Sequence, residues 1–290
     1  MKDHKVSIVI PNWNGVHLLK KHLKKVVRSS GKSEIIIVDD GSTDDSVAYI
    51  KANYPDIRLI TSQKNVGFAR AVNLGVKNTT CDIVVLLNTD IEPEIGWLKP
   101  LLSHFEDDLV FAVACMDKSH EGGEVFLRGR GKGEWKRGFY VHRRGEVNKP
   151  DTDWVSGGSG AYRKSIWDEL GGMDESFNPF YWEDIDLSYR AVDKGYKLVF
   201  EPKAIVHHYH EKGKIKTDFT PNKVKTIASR NQFIFIWKHI KGIDNVLKHS
   251  LFTPLNLLKT FLSGDLTFIT GYIKALKYIP RILSYRTNTK

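Results

Sequence analysis

The chain has little cysteine and no long apolar run. Of its 290 residues only Cys81 and Cys115 are cysteines, and Cys81 precedes a predicted core strand. Two cysteines make no disulfide framework, so we expect a reducing compartment. No run of about 18 uninterrupted apolar residues occurs, and the first strand begins at Val6. We therefore predict neither a membrane-spanning helix nor a secretory signal.

Acidic residues are scarce in the last quarter of the chain. From Thr220 onward, 12 lysines and arginines stand against 2 aspartates, a net charge of +10 that equals the net charge of the whole chain. The rest of the chain carries 32 residues of each sign and is neutral. A basic tail on a neutral body favours an acidic partner, either nucleic acid or the anionic face of a bilayer.

Short apolar runs alternate with helical patterns in the first part of the chain. The run Ile83–Leu87, led by Asp82, is apolar throughout, as expected for a strand buried on both faces. Similar runs at residues 6–10 and 34–38 are each followed by helical spacing. This alternation predicts an α/β fold with a mostly parallel central sheet flanked by helices.

The character of the chain changes twice after this region. Residues 117–153 are rich in glycine, lysine and arginine and predict hairpins and loops, whereas amphipathic helical spacing returns from Lys223. We therefore predict an α/β domain over residues 1–216, with halves 1–115 and 116–216, and a basic amphipathic helical tail over residues 217–290.

Carboxylates follow the predicted strands or begin a helix: Asp39-Asp40, Asp90 and Glu183-Asp184. In open α/β sheets ligands bind just beyond the carboxyl ends of strands, so these acids are candidates for a binding or metal site. Each has a structural alternative. Asp90 can cap a helix starting near Glu94. The Asp39-Asp40 pair can form an Asx turn, and Glu183-Asp184 suit a helix N-terminus.

Arg70 and the pair His207-His208 likewise have both a functional and a structural interpretation. Arg70 follows the turn Asn65-Val66-Gly67 at a helix start, which suits a diphosphate, although an isolated arginine is also typical of a solvated helix face. His207 and His208 end a predicted strand. A single histidine there would be a hydrogen-bonded core residue, but two favour a metal site together with Asp90.

The set of motifs resembles glycosyltransferase family 2, the inverting enzymes of the GT-A fold, and especially the bacterial rhamnosyl- and galactofuranosyltransferases. The resemblance covers residues 6 to about 210, and the individual motifs are common whereas their order is specific. They are Val9-Ile10-Pro11-Asn12-Trp13-Asn14, Val38-Asp39-Asp40-Gly41-Ser42-Thr43-Asp44, Asn65-Val66-Gly67-Phe68-Ala69, Leu87-Asn88-Thr89-Asp90, Gly171-Gly172-Met173-Asp174-Glu175, Trp182-Glu183-Asp184-Ile185-Asp186-Leu187 and His207-His208.

The resemblance implies a role for each candidate residue. The nucleotide-sugar would be bound in the half 1–115 by Pro11, Asn12, Asp39, Asp40, Gly67, Arg70, Asn88 and Thr89, and the half 116–216 would face the acceptor. Asp90 would be the surviving carboxylate of the DxD metal motif, whose first position is Asn88 here. Counting Ala-x-Val-x-His from Ala204 makes His208 the second ligand of a divalent cation, Mg²⁺ or Mn²⁺. Asp184, beside Glu183, would be the catalytic base.

The resemblance also implies partners. The donor would be a nucleoside-diphosphate sugar, with UDP or dTDP as the nucleotide, and the acceptor a glycan or lipid-linked glycan of the bacterial cell surface. The tail helices interleave leucine and aromatic residues with lysine, so they either lie on an anionic leaflet or pack on the catalytic domain. We favour the membrane, which predicts a cytoplasmic protein peripheral to the inner face of the cell membrane.

Other functions have less support in the sequence. A nucleotide-sugar- or nucleic-acid-binding protein without transfer activity would not need Asp90, Glu183 and Asp184 together. The chain also has no nucleic-acid reading motif and no dense basic block, so we predict no nucleic-acid partner. A nucleotidyltransferase would need a glycine-rich loop with a lysine or arginine after the first strand, where this chain has Asn12-Trp13-Asn14-Gly15.

Overall fold

The computed structural model describes residues 4–210 and 218–288. The first part contains eleven strands and six α-helices in the following order. They are β1 (Val6–Asn12), α1 (Val16–Ser29), β2 (Glu34–Asp39), α2 (Ser46–Asn53), β3 (Arg58–Thr61), α3 (Phe68–Lys77), β4 (Ile83–Leu87), β5 (Ile91–Pro93), α4 (Leu98–Ser103), β6 (Val110–Glu121), β7 (Glu124–Arg128), β8 (Gly131–Lys136), β9 (Phe139–Arg144), β10 (Ser159–Arg163), α5 (Lys164–Leu170), α6 (Glu183–Asp193) and β11 (Lys197–Tyr209).

The central sheet has the strand order β3-β2-β1-β4-β10-β6-β11-β5, with β7 paired to β6. The first four strands are parallel, as predicted. Beyond β4 the sheet is mixed, because β10 lies antiparallel between β4 and β6, and β5 lies antiparallel to β11. The predicted α/β class is confirmed, while the parallel part is limited to one side of the sheet and the β6–β11 pair.

The strand β4 lies in the centre of the core. All five of its residues are completely buried. The two-residue period of the neighbouring β1 divides its side chains between the faces, so that Ile8 and Ile10 pack with α1 and Val9 packs with α3. Each face of the sheet is therefore covered by a helix, and the carboxyl ends of the strands are left for a site.

Two boundaries differ from the predicted ones. The sequence pattern predicts two strands, over 197–200 and 204–207, but these residues belong to one strand, β11, whose pairing with β6 shifts register between Glu201 and Ile205. Pro202 in this interval has no N–H group to donate, which explains the interruption. The predicted helix near Glu94 begins only at Leu98, and β5 directly follows Asp90, so the helix-cap alternative for Asp90 is wrong.

The tail is helical, as predicted, and consists of α7 (Pro221–His239), α8 (Ile243–Leu262), α9 (Thr267–Leu276) and α10 (Ile279–Asn288). The chain forms two compact units. Among the described residues, the first unit comprises 4–132, 144–179 and 183–210, and the second comprises 133–143, 180–182 and 218–288. The tail thus shares its unit with two segments that the predicted division 1–216 and 217–290 assigns to the catalytic domain.

The segment 180–182 has an unusual backbone within the second unit. Tyr181 and Trp182 both have positive φ angles, of 73° and 78°, which non-glycine residues rarely adopt. The side-chain amide of Asn231, completely buried on α7, donates to the carbonyl oxygens of Phe180 and Tyr181 at 3.0 and 2.8 Å. The ring of Trp182 packs 5.1 Å from that of Phe235. These contacts compensate for the strain of the turn.

Candidate active site

The loops after β1 and β2 are joined by side-chain hydrogen bonds. Asn12 donates through Nδ2 to Asp39 Oδ2 at 2.8 Å, and the Ser42 amide donates to Asp39 Oδ1 at 3.0 Å. Asp44 accepts from the amides of Val16 and Ser46, both at 3.0 Å. Burial opposes its ionisation, but these hydrogen bonds prevail and lower the pKa of Asp44. Asp44 therefore binds the amide of the first residue of both α1 and α2, close to the buried Asp39.

The side-chain oxygen of Asn12 is a candidate ligand acceptor. Asn12 is 2% exposed, and its Oδ1 atom accepts no hydrogen bond from the described residues. It lies 2.5 Å from the position that a Cβ atom would take on Gly15, so it points at the backbone of the β1 loop. A buried acceptor without a donor is costly, and an N–H or hydroxyl group of a ligand would satisfy it.

Asp40 holds the neighbouring turn. Its two carboxylate oxygens accept from the amides of Val66 and Gly67 at 2.8 and 2.9 Å. Burial raises the pKa of Asp40 even though both amide donors favour the charged form. Gly41 beside it has φ +70°, and a Cβ there would lie 2.4 Å from the backbone of Lys64, so only glycine fits. The oxygens of Asp40 are used within the protein, and its contact with a nucleotide stays a prediction.

Arg70 lies in the first turn of α3 and is 60% exposed. Its only ion pair in the described chain is with Glu175, at 3.7 Å, and such exposed pairs contribute roughly 0–1 kcal/mol. That interaction is too weak to withhold the guanidinium from a diphosphate.

The residues after β4 contact both neighbouring loops. The Asn88 amide donates to the Gly158 carbonyl at 2.9 Å, and a Cβ on Gly158 would lie 2.6 Å from Asn88 Nδ2. Thr89 Oγ1 lies 3.8 Å from the Cβ position of Gly15. The end of β4 therefore lies between the β1 loop and the segment before β10.

Asp184 approaches the same segment from the start of α6. Its carboxylate accepts from the Gly157 amide at 3.2 Å and from the Ile185 amide at 2.8 Å. Burial raises its pKa, with the amide donors acting in the opposite direction. Asp184 is half-buried, whereas Glu183 is only 6% exposed. Of the two acidic residues Asp184 is the more exposed, and its raised pKa suits it to accept a proton.

The histidine pair is divided between the two faces of β11. His208 Nε2 lies 3.4 Å from Asp90 Oδ2, and its Nδ1 donates to Asp117 Oδ2 at 3.0 Å. His207 points the other way and donates to Glu94 Oε1 at 3.0 Å. Because side chains alternate along a strand, only one of two successive histidines can face Asp90, and that residue is His208. Its role as a metal ligand stays a prediction.

Asp90 and His208 fit a divalent cation that receives its other ligands from a substrate. Two ligands at about 2.1 Å in an octahedral shell are about 3 Å apart, close to the observed separation. Within residues 4–210 and 218–288, no group of three histidine, cysteine or acidic side chains forms a complete metal site. Mg²⁺ is commonly held by one or two protein ligands together with substrate phosphates and water, so the small ligand set is consistent with it.

The charge state of His208 follows from these neighbours. Burial would lower its pKa, but the hydrogen bonds to Asp117 and Asp90 prevail and raise it to about 9. Burial likewise opposes ionisation of Asp90, and the contact with His208 reverses this effect and lowers the pKa of Asp90. A cation at Nε2 would replace the proton that His208 carries without it.

Asp117 is a functional candidate that the sequence reasoning missed. It is 8% exposed, orients the ring of His208, and accepts a hydrogen bond from Ser119 Oγ at 2.8 Å. Carboxylates that bind the second nitrogen of a metal-ligating histidine fix its orientation. The sequence did carry a signal for it, because Asp117 directly follows the apolar run Val110 to Met116, as Asp39 directly follows Val38.

We expect Asp117→Asn to weaken Mn²⁺ binding about 10- to 100-fold, because the amide holds His208 less firmly than the carboxylate does. Isothermal titration of the protein with Mn²⁺ measures the affinity. Glu94→Gln is the matched control, since Glu94 makes the equivalent contact to His207 on the opposite face of the strand. Equal affinities of the two variants would contradict the assignment.

Two curated glycosyltransferases are similar to this chain in sequence. A pre-mycofactocin glycosyltransferase of Mycobacterium tuberculosis is 32% identical over 211 residues, which are 71% of this chain and 43% of that protein, so the chain spans less than half of this relative. An N-acetylglucosaminyl-diphospho-decaprenol L-rhamnosyltransferase of the same organism is 26% identical over 240 residues, 72% of this chain and 77% of that protein.

A solved structure has the same fold. GalNAc-T7 with UDP, GalNAc and Mn²⁺ superposes with a TM-score of 0.66 at 18% identity, covering 81% of this chain and 48% of that chain. The predicted GT-A fold is thereby confirmed. The sequence model of glycosyl transferase family 2 matches residues 7–171, more than half of the chain. The resemblance drawn from the motifs is confirmed, and the chain belongs to glycosyl transferase family 2.

Proposed function

We propose that the protein is an inverting glycosyltransferase, which moves a sugar from a nucleoside-diphosphate donor to an acceptor hydroxyl. The observation that carries this proposal is the link between Asp184 and the end of β4. The Gly157 amide binds Asp184, and the next residue, Gly158, binds Asn88, two residues before Asp90. The proposed base and the proposed cation site therefore belong to one hydrogen-bonded region.

The donor nucleotide is assigned to the loops after β1 and β2. Asp39 is fixed by Asn12 and Ser42. Asn12 Oδ1, which has no hydrogen-bond partner among residues 4–210 and 218–288, is an acceptor for a base N–H or a ribose hydroxyl. Arg70 and the amides at the start of α3 suit the diphosphate. We propose UDP or dTDP as the nucleotide, in keeping with the UDP in the GalNAc-T7 structure.

Asp90 and His208 are the proposed protein ligands of the divalent cation, Mn²⁺ or Mg²⁺. When bound, the cation neutralises charge on the diphosphate as it leaves. Asp117 keeps the ring of His208 turned toward Asp90. The presence of Mn²⁺ in the GalNAc-T7 structure supports a divalent cation.

Asp184 acts in the transfer step as general base. Its carboxylate takes the proton of the acceptor hydroxyl, whose oxygen forms a bond to the anomeric carbon on the face opposite the diphosphate. The bond from that carbon to the diphosphate oxygen breaks, and the electron pair leaves with the diphosphate. A single displacement inverts the configuration at the anomeric carbon, and Asp184 is left protonated.

The acceptor and location are proposed from the relatives. The rhamnosyltransferase of M. tuberculosis is named for a decaprenol-linked acceptor, so we propose a lipid-linked or cell-surface glycan acceptor here. Such an acceptor would bring the protein to the cytoplasmic face of the cell membrane, with the basic tail toward anionic lipid. In the described residues no helix combines the length and the apolar character needed to cross a bilayer.

A screen of nucleotide-sugars tests the proposal. With Mn²⁺ and the donor at 100 times its Kd, we expect the Tm to rise by about 5 °C. A UDP- or dTDP-sugar should produce this shift, and GDP-sugars should not. The transferred sugar, examined by NMR, should have the anomeric configuration opposite to that of the donor. A retained configuration would contradict the mechanism, and donor binding without transfer to any acceptor would favour the binding-protein alternative.

A further inference from the structure

The longest helix of the second unit carries its apolar stripe on the solvent side. Six aliphatic residues of α8 recur every three or four positions and so lie along one stripe. All of them are more than half exposed: Ile243 80%, Leu247 63%, Leu251 61%, Leu255 51%, Leu258 55% and Leu262 75%. Single exposed leucines are normal, but a continuous stripe of six along a 20-residue helix marks an interaction surface.

The opposite face of α8 is polar and packs inside the unit. His249 Nδ1 donates to the Gly138 carbonyl at 3.0 Å, while its Nε2 accepts from Trp237 Nε1 at 3.0 Å. Burial lowers the pKa of His249, in keeping with the neutral ring that this pairing requires. Thr253, one turn further on, is 8% exposed. The helix is therefore inverted relative to an ordinary amphipathic helix, which buries its apolar face in the protein.

The net charge of α8 and of the helices that follow it favours an anionic occupant for the stripe. Residues 240–288 contain five lysines and two arginines against two aspartates, a net charge of +5. Lys248 and Lys259 lie on α8 itself and are exposed. Two copies of the chain meeting through this surface would bring like charges together, whereas an anionic bilayer offers both opposite charge and an apolar layer.

We propose that α8 lies in the interface of an anionic bilayer, with the stripe Ile243, Leu247, Leu251, Leu255, Leu258 and Leu262 in the acyl boundary and the neighbouring lysines at the headgroups. No described helix spans a membrane, so the contact is interfacial. At 1.5 Å per residue the helix extends about 30 Å along the surface. The inference rests on the second unit alone and does not depend on the proposed glycosyl transfer.

Flotation of the full-length protein with large unilamellar vesicles tests the inference. The variant Leu247→Ser/Leu251→Ser/Leu258→Ser removes apolar area from the stripe at positions that are already exposed. We expect its partition coefficient onto vesicles of phosphatidylcholine with 30% phosphatidylglycerol to fall at least about 30-fold. The matched control is Val125→Ser/Leu127→Ser on β7, which removes two residues that are 52% and 53% exposed in the first unit. It should bind like the parent protein.

Several results would overturn the proposal. One is equal binding of the stripe variant and the parent protein, with unchanged Tm values. Another is equal binding of the parent protein to vesicles of phosphatidylcholine alone, since the lysines would then contribute nothing. If the parent protein is a dimer that the stripe variant converts to monomer, and neither binds vesicles, the stripe is a contact between copies. The rate of sugar transfer to a soluble acceptor is measured separately for the stripe variant. An unchanged rate shows that the loss of vesicle binding does not come from damage to the active site.

Discussion

Asp184→Asn is expected to lower kcat about 10³-fold while the Kd for the donor nucleotide stays within about threefold of its parent value. The amide has the same shape but cannot take the proton of the acceptor hydroxyl. Asp184 contacts the Gly157 and Ile185 amides, and no hydrogen bond from the described residues joins it to the loops assigned to the nucleotide. Steady-state transfer rates and isothermal titration with the nucleotide separate the two quantities.

Glu183→Gln is the matched control, because it makes the same change of charge one residue earlier in α6. Glu183 is more buried than Asp184, so its replacement should affect folding stability more than the chemical step. If the glutamine variant lost turnover and the asparagine variant kept it, the base would be Glu183.

The raised pKa of Asp184 predicts a particular pH dependence. The base acts only when ionised, so kcat should fall as the pH is lowered through this pKa. Burial raises the pKa, so the decline should begin at a higher pH than for an ordinary aspartate. The residual kcat of Asp184→Asn should not fall in this way as the pH is lowered. The same fall of kcat in the variant would mean that another group titrates.

His208→Ala is expected to remove the activation by divalent cations and to lower kcat/KM about 10³-fold, since the proposed site has only two protein ligands. His207→Ala provides the control at the adjacent position. His207 has a similar environment of hydrogen bonds but faces Glu94 and His120 instead of Asp90. Its replacement should change kcat/KM by no more than about threefold.

The measurement is the transfer rate as a function of Mn²⁺ concentration, compared between His208→Ala and His207→Ala. Equal loss in the two variants would mean that the strand as a whole is disturbed. Full activity of His208→Ala at the parent Mn²⁺ concentration would leave Asp90 as the sole protein ligand.

Local elements were well predicted from the sequence because their ends have local causes. The sequence pattern predicts helices over 46–53, 68–77 and 164–170, and these are the bounds of α2, α3 and α5 in the structure. The last of these ends at Gly171, whose φ of 76° is the left-handed conformation that a terminal glycine provides. The strand order was not predictable in the same way. The antiparallel β10 pairs with β4 and β6 across long sequence distances, and no local pattern specifies that partner choice.

In the candidate site, too, features with a local cause were predictable from the sequence, and contacts between distant segments were not. Position after an apolar run was enough to find Asp39, Asp40 and Asp90, but it did not show that Asp40 uses both oxygens to hold the turn at Val66 and Gly67. The sequence pattern predicts a strand that stops at Cys115 and so leaves Asp117 in a loop, whereas β6 continues through Asp117 to Glu121. Asn231 had no sequence signal, since its hydrogen-bond partners lie about fifty residues earlier.

The strained turn at Tyr181 and Trp182 has a consequence for how this protein can be recombined with its relatives. The residue before the acidic pair belongs to the unit of the tail helices, while Glu183 itself belongs to the other unit. An exchange of tails at residue 217 would remove Asn231, and with it the two hydrogen bonds to the carbonyl groups of Phe180 and Tyr181. Because the hairpin 133–143 and the tripeptide 180–182 belong to the same unit as the tail helices, a working chimera would need all three segments from the same parent protein.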